Sequence, residues 1–154
     1  MNPLSETPRD SPLEARFRLI LCALAVATFV VIPAELILLG HTQSVAQWIP
    51  FVACFFGLVA CGWVVVDPVP ARLRGARLLS RLIVLSGMVG AFMHLRANLL
   101  LQLEIRPNET WSEAMWPALQ GSAAFLAPGI LILGALLVLG ATYDHPVLTT
   151  QKAR

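Results

Sequence analysis

Charge is scarce in this chain, and most other ingredients of a soluble enzyme are scarce with it. Only 13% of its 154 residues are charged against 57% hydrophobic, which leaves too little polar surface to coat a water-soluble domain of this length. Helices that are apolar all round have no polar face to turn to water, so a soluble helical bundle is excluded on the same ground. The net charge of +2 is too small and too dispersed to form a nucleic-acid surface, and no nucleic-acid partner is expected.

The reactive residue types are equally sparse. Cys22, Cys54 and Cys61 all fall inside apolar runs and form no disulfide framework. Cys54 and Cys61 share a helix face, but with no further ligand nearby they read as small packing residues rather than metal ligands. A haem held between helices takes two axial ligands, and the chain has only His41, His94 and His145. His145 falls on the opposite side from the other two, and the turn carrying His41 is expected well above His94, so no haem is expected. Neither a nucleophile arrangement nor a glycine-rich phosphate loop is present. The reading is a non-enzymatic protein with no cofactor and no metal site.

What the chain does have is long apolar stretches. A helix needs about 20 apolar residues to cross a hydrocarbon core of about 30 Å, and the sequence offers four such segments, at 13–39, 45–66, 72–103 and 118–143. The expected fold is therefore all-α: a single membrane domain over 1–154, built as a four-helix up-down bundle, with short tails. Boundaries are marked by local chemistry. Ser11-Pro12-Leu13-Glu14 is a capping box with proline at the first helical position, and Gly40 is placed to end that helix. Ser44 with Gln47 forms a second box, Asp67-Pro68-Val69-Pro70 stops the second helix, and Thr110 with Glu113 forms a third. That third box opens an interfacial helix start at 111–117, with Pro117 and Gly121 as bends into the last span and Pro128-Gly129 as a kink within it. The connections are short enough to make consecutive helices antiparallel neighbours.

Positive charge sets an orientation. Arg9, Arg16, Arg18, Arg72, Arg74, Arg77, Arg81, Lys152 and Arg154 all fall on one side of the expected spans, leaving only Arg96 and Arg106 elsewhere. The positive-inside rule makes that side cytoplasmic, with both termini inside. Trp48, Trp111 and Trp116 mark the outer boundary, and Trp63 and Tyr143 the inner one.

One polar cluster interrupts the apolar pattern near the outer boundary: Glu35, His41, His94, Arg96, Asn98, Gln102 and Glu104. Charge within a span costs about 2.5 to 3.5 kcal/mol per residue on insertion scales, so each charged member needs a partner. Glu35 and Arg96 are expected at comparable depth and should pair, with His94 or Asn98 adding hydrogen bonds. On the third helix His94, Asn98 and Gln102 recur every four residues along one stripe, while Arg96, Leu100 and Glu104 form another roughly opposite. One stripe should face the bundle, and the other the interfacial helix or a partner chain. The cluster serves either to fix helix register or to line an outward-open ligand pocket of Glu35, His41, His94 and Arg96, with proton coupling through Glu35 and His94 as a third use.

The run His94-Leu95-Arg96-Ala97-Asn98, with Leu103-Glu104, Pro107, Trp116, Ala127-Pro128-Gly129 and Tyr143-Asp144-His145-Pro146, resembles a group of small bacterial four-span membrane proteins of unassigned function. Glu35, Gly40-His41 and Ile49-Pro50-Phe51 are similar to that group's first hairpin. The resemblance implies a multi-pass protein of the bacterial inner (cell) membrane and implies no activity. Small multidrug transporters also have four spans and a glutamate in the first, but that glutamate lies nearer mid-membrane, and the strong arginine bias here counts against their antiparallel dimer. The functional expectation is thus a small subunit or scaffold in the lipid bilayer, engaging a copy of itself or a larger membrane complex. The alternative is a small transporter or ligand-binding protein that uses Glu35, His94 and Arg96.

Overall fold

The computed structural model describes residues 11–121 and 126–152, and among them every regular element is helical. The elements are α1 (Pro12–Leu38), a 3-10 turn (Val45–Trp48) running into α2 (Ile49–Val65), α3 (Pro70–Ile105), α4 (Trp111–Leu119), α5 (Leu126–Thr142) and α6 (Pro146–Lys152). Three stretches are long and apolar enough to cross a membrane: Pro12–Leu38, Val45–Val65 and Pro70–Ile105. The fourth expected span is represented by α5, 17 residues long. The residues immediately before it, 122–125, lie outside the described ones.

The end signals act much as their chemistry requires. Ser11 Oγ accepts from Glu14 N at 3.2 Å while Ser11 N donates to Glu14 Oε2 at 2.9 Å, closing the first capping box. Gly40, at φ 65°, ends α1 in a Schellman turn: His41 N donates to Leu36 O at 2.8 Å and Gly40 N to Ile37 O at 3.0 Å. The second box differs from expectation, since Ser44 and Gln47 open a 3-10 turn and the α-helix proper starts at Ile49. Pro50 has no N–H to give the Ala46 carbonyl, so Ile49 N bonds it instead across three residues.

The start of the last span also shifts. Residues 118 and 119 belong to α4, and the helix breaks at Gln120 and Gly121. A Cβ on Gly121 would stand 2.6 Å from Asn98 Cγ, so only glycine lets the chain turn this close to α3. Pro128 lies in the first described turn of α5, so the expected kink there borders residues outside the described ones. The tail differs as well. Pro146 starts α6, Val147 N donates to His145 Nδ1 at 3.3 Å, and Val147 and Leu148 pack on the main core.

α1 packs against α2 and α5, and α3 packs against α2, α4 and α5, while the backbones of α1 and α3 make no close approach among the described residues. Phe29 is the central knob. Its ring is fully buried and fills the space left by two missing side chains, since a Cβ on Gly57 would meet it at 2.5 Å and one on Gly134 at 3.0 Å. Similarly, Gly87 lets α3 close on α5, where a Cβ would stand 2.5 Å from Ile132 Cγ1. Outside this core the helices are sheathed in exposed Leu, Val, Ile and Phe side chains.

At one end of the molecule, called here the terminal end, the start of α1, the α2–α3 turn and the end of α5 meet. Arg18 Nη1 donates to Ala141 O at 2.9 Å and Tyr143 O at 3.0 Å, and its Nη2 to Asp144 O at 3.2 Å. From α3, Arg77 Nη2 donates to Thr142 O at 2.5 Å and Nε to Thr142 Oγ1 at 3.2 Å. α5 has no basic residue in its own last turn and no glycine after it, and Asp144 takes the left-handed position at φ 44°. Its last carbonyls therefore receive their donors, and their compensating positive charge, from two other helices. Trp63 closes the same end by lying over Gly75, whose Cβ would be 2.8 Å from the indole.

Candidate functional site

The other end is open. No buried residue lies on α2 before Ala53, nor on α3 between Gly87 and Asn98. That space is a cavity of about 830 Å³, within the roughly 300 to 1,000 Å³ typical of small-molecule sites. Its walls come from four places: Ile32 and Leu36 of α1, the turn and start of α2, α3 from Leu82 to Ala97, and the beginning of α5. Along α3 the cavity runs about 22 Å, since fifteen residues rise about 1.5 Å each. Leu82, Leu85, Val89 and Met93 on its wall are more than half exposed, so the cavity is a cleft open to the side.

Polar groups gather at its rim. His41, Ser44 and Gln47 come from the α1–α2 turn and His94 from α3. The His41 and His94 ring centroids lie 6.4 Å apart, with the ring planes inclined by 32°. Both histidines are half-buried, and neither ring hydrogen-bonds to a described residue. This overturns the expected placement of His41 well above His94. α3 simply continues past the level at which α1 ends, carrying α4 on its projecting turns.

The same offset undoes the expected ion pair. Glu35 lies short of His41 and Arg96 beyond His94, which separates them by roughly 10 Å along the helix direction. Both are exposed, and the ion pairs formed among the described residues are Arg72 with Asp67 and Arg106 with Glu109. Neither Glu35 nor Arg96 lines the cleft, so only His41 and His94 of the expected pocket do.

The two stripes of α3 separate clearly. Asn98 is buried against Gly121, and Gln102 Nε2 donates to Glu109 Oε2 at 3.1 Å. Glu109 also accepts from Arg106 at 2.8 Å, and these bonds hold its carboxyl below the usual carboxylate range. With Leu99, Ala114 and Ala118 forming a second small core, Asn98 and Gln102 of that stripe are used up within the chain, while His94 lines the cleft. Arg96, Leu100 and Glu104 remain exposed.

Sequence reasoning missed the structural use of Arg18 and Arg77, reading them only as markers of sidedness. A usable signal was the end of α5, Thr142-Tyr143-Asp144, which lacks glycine and basic residues to serve its own carbonyls. No protein family, curated protein or solved structure matches the chain.

Proposed function

We propose that the chain is a non-enzymatic, multi-pass membrane protein that binds an apolar or amphiphilic small molecule in the lateral cleft. The observation that carries this reading is the cleft itself: about 830 Å³, apolar along its length but for Ser86, with its other polar side chains, His41, Ser44, Gln47 and His94, gathered at one rim. In this reading α1, α2, α3 and α5 form a four-helix up-down bundle, and the nine Lys and Arg residues grouped on one side put both termini in the cytoplasm. The resemblance to small bacterial four-span proteins supports an inner-membrane location. Taking the arginine-clamped end as the inner boundary, α3 climbs about 25 Å from Arg77 to His94, close to the thickness of a hydrocarbon core of about 30 Å. The histidine rim and Arg96 then sit in the interface rather than in the hydrocarbon, which removes the need for Arg96 to pair.

The test is to recover what the cleft holds. Purified full-length protein is extracted with solvent and its bound small molecules are quantified beside Ser86→Phe and Ala97→Phe, which fill the cleft from α3. The expected result is a defined molecule near one per chain in the wild type, reduced several-fold in both variants. Equal recovery from all three would contradict the reading.

A second reading, a subunit that docks on a partner chain, draws on the exposed Arg96-Leu100-Glu104 stripe. Cysteines placed at Arg96 and Leu100 would crosslink between chains in native membranes if that stripe meets protein.

A further inference from the structure

Resting on the cleft-binding reading, we propose that the ligand is a haem or closely related iron porphyrin, bound through its iron by His41 on one face and His94 on the other. Two imidazoles from different elements stand 6.4 Å apart, centre to centre, at the rim of an apolar cavity, and neither ring hydrogen-bonds to another described residue. Their separation discriminates between coordination geometries. With metal–imidazole bonds of about 2 Å, imidazoles on opposite sides of one metal put their ring centres roughly 6 Å apart, whereas tetrahedral neighbours come to roughly 5 Å. The observed 6.4 Å fits the opposed arrangement.

The shortage of other ligands points the same way. Among the described residues no group of three or more His, Cys, Asp and Glu could hold a metal ion. A bare ion would thus have only two donors of the His, Cys, Asp and Glu types that hold metals tightly, too few for a stable tetrahedral site. A porphyrin brings four equatorial nitrogens of its own and asks the protein for two axial ligands. Its apolar ring edge suits walls made of Ile49, Pro50, Leu85, Val89, Met93 and Pro128.

Its carboxylates need a cation at the rim. Arg96 continues the line of Leu85, Val89 and Met93 at spacings of four, four and three, so it stands beyond the edge of the cleft on the Met93 side of α3. It is exposed and forms no ion pair with a described residue. Of the carboxylates in the cluster, Glu35 is displaced toward the terminal end and Glu104 lies about two turns further along α3, and neither lines the cleft. The arrangement therefore favours carboxylates projecting outward from the rim.

The test uses the full chain, purified in detergent and titrated with ferric protoporphyrin. Saturation at one per chain is expected, with the sharp Soret and visible bands of a six-coordinate, low-spin, bis-imidazole iron. His41→Ala and His94→Ala should each lose the low-spin spectrum and weaken binding by about tenfold or more. Arg96→Gln should keep the spectrum and dissociate faster. Circular dichroism and gel filtration confirm that each variant is folded. Unsaturable partitioning only, or a low-spin spectrum that survives both histidine variants, overturns the haem assignment. The broader reading is judged separately: if solvent extraction still yields another molecule that Ala97→Phe displaces, the cleft binds a ligand and that ligand is not haem. If Ala97→Phe changes nothing, both fail.

Discussion

The two ends of this molecule solve opposite problems. At the terminal end the start of α1, the α2–α3 turn and the end of α5 are drawn together by guanidinium groups that satisfy the carbonyls at the end of α5, and a glycine under Trp63 lets α2 and α3 close. At the cleft end the helices differ in length, the main apolar core stops at Ala53 and Gly87, and His41, Ser44, Gln47 and His94 line a cavity. The difference teaches that polar side chains in an apolar chain have two uses. Where backbone groups are left unmet they act as structural donors, and where backbone demands are already met, as at the Schellman turn after α1, they remain available to a ligand.

Stability measurements can break this contrast. The largest effect is expected at the junction of the two regions, where Phe29→Ala would empty a fully buried ring site between Gly57 and Gly134 and cost about 3 to 5 kcal/mol. Unfolding in mixed micelles by a denaturing detergent checks it. Next comes the arginine clamp: Arg18→Ala leaves three carbonyls short of a charged donor and should cost about 1.5 to 3 kcal/mol, with Arg77→Ala similar. If both arginine variants match the wild type, the terminal end is not locked as described. The smallest effect is expected for Glu35 and Arg96. A double-mutant cycle with Glu35→Gln and Arg96→Gln should give a coupling below about 0.5 kcal/mol, because the groups are separated and exposed. A coupling of several kcal/mol would restore the ion pair and erase the distinction between the ends.

Much of the fold was legible because its determinants are local. Apolar run length, the capping boxes at Ser11 and Thr110, and Gly40 act within a few residues, and the helices formed where they indicated. The site was legible only as a set of residues. Which members meet depends on relative helix heights, and those are set by tertiary contacts such as Phe29 against Gly57 and Gly134. Aligning helices by their distance from the expected outer turns put Glu35 beside Arg96 and His41 above His94. α3 in fact continues beyond the α1–α2 turn to pack on α4, which lowers His94 to the level of His41. The clamp was hidden for a related reason: a carbonyl's missing donor is written in one helix and supplied by another 65 or more residues away.

The account stands most directly on which pair meets at the cleft rim, and crosslinking decides it. In a background with Cys22, Cys54 and Cys61 replaced, the pairs His41→Cys/His94→Cys and Glu35→Cys/Arg96→Cys are each treated in membranes with a short bifunctional thiol reagent. Proteolysis between α1 and α3 then reports whether the two fragments stay joined. The rings of His41 and His94 lie 6.4 Å apart, so the first pair should be bridged efficiently and the second should not. Efficient bridging of Glu35→Cys/Arg96→Cys, with none between positions 41 and 94, would contradict the arrangement of the cleft and the function proposed for it.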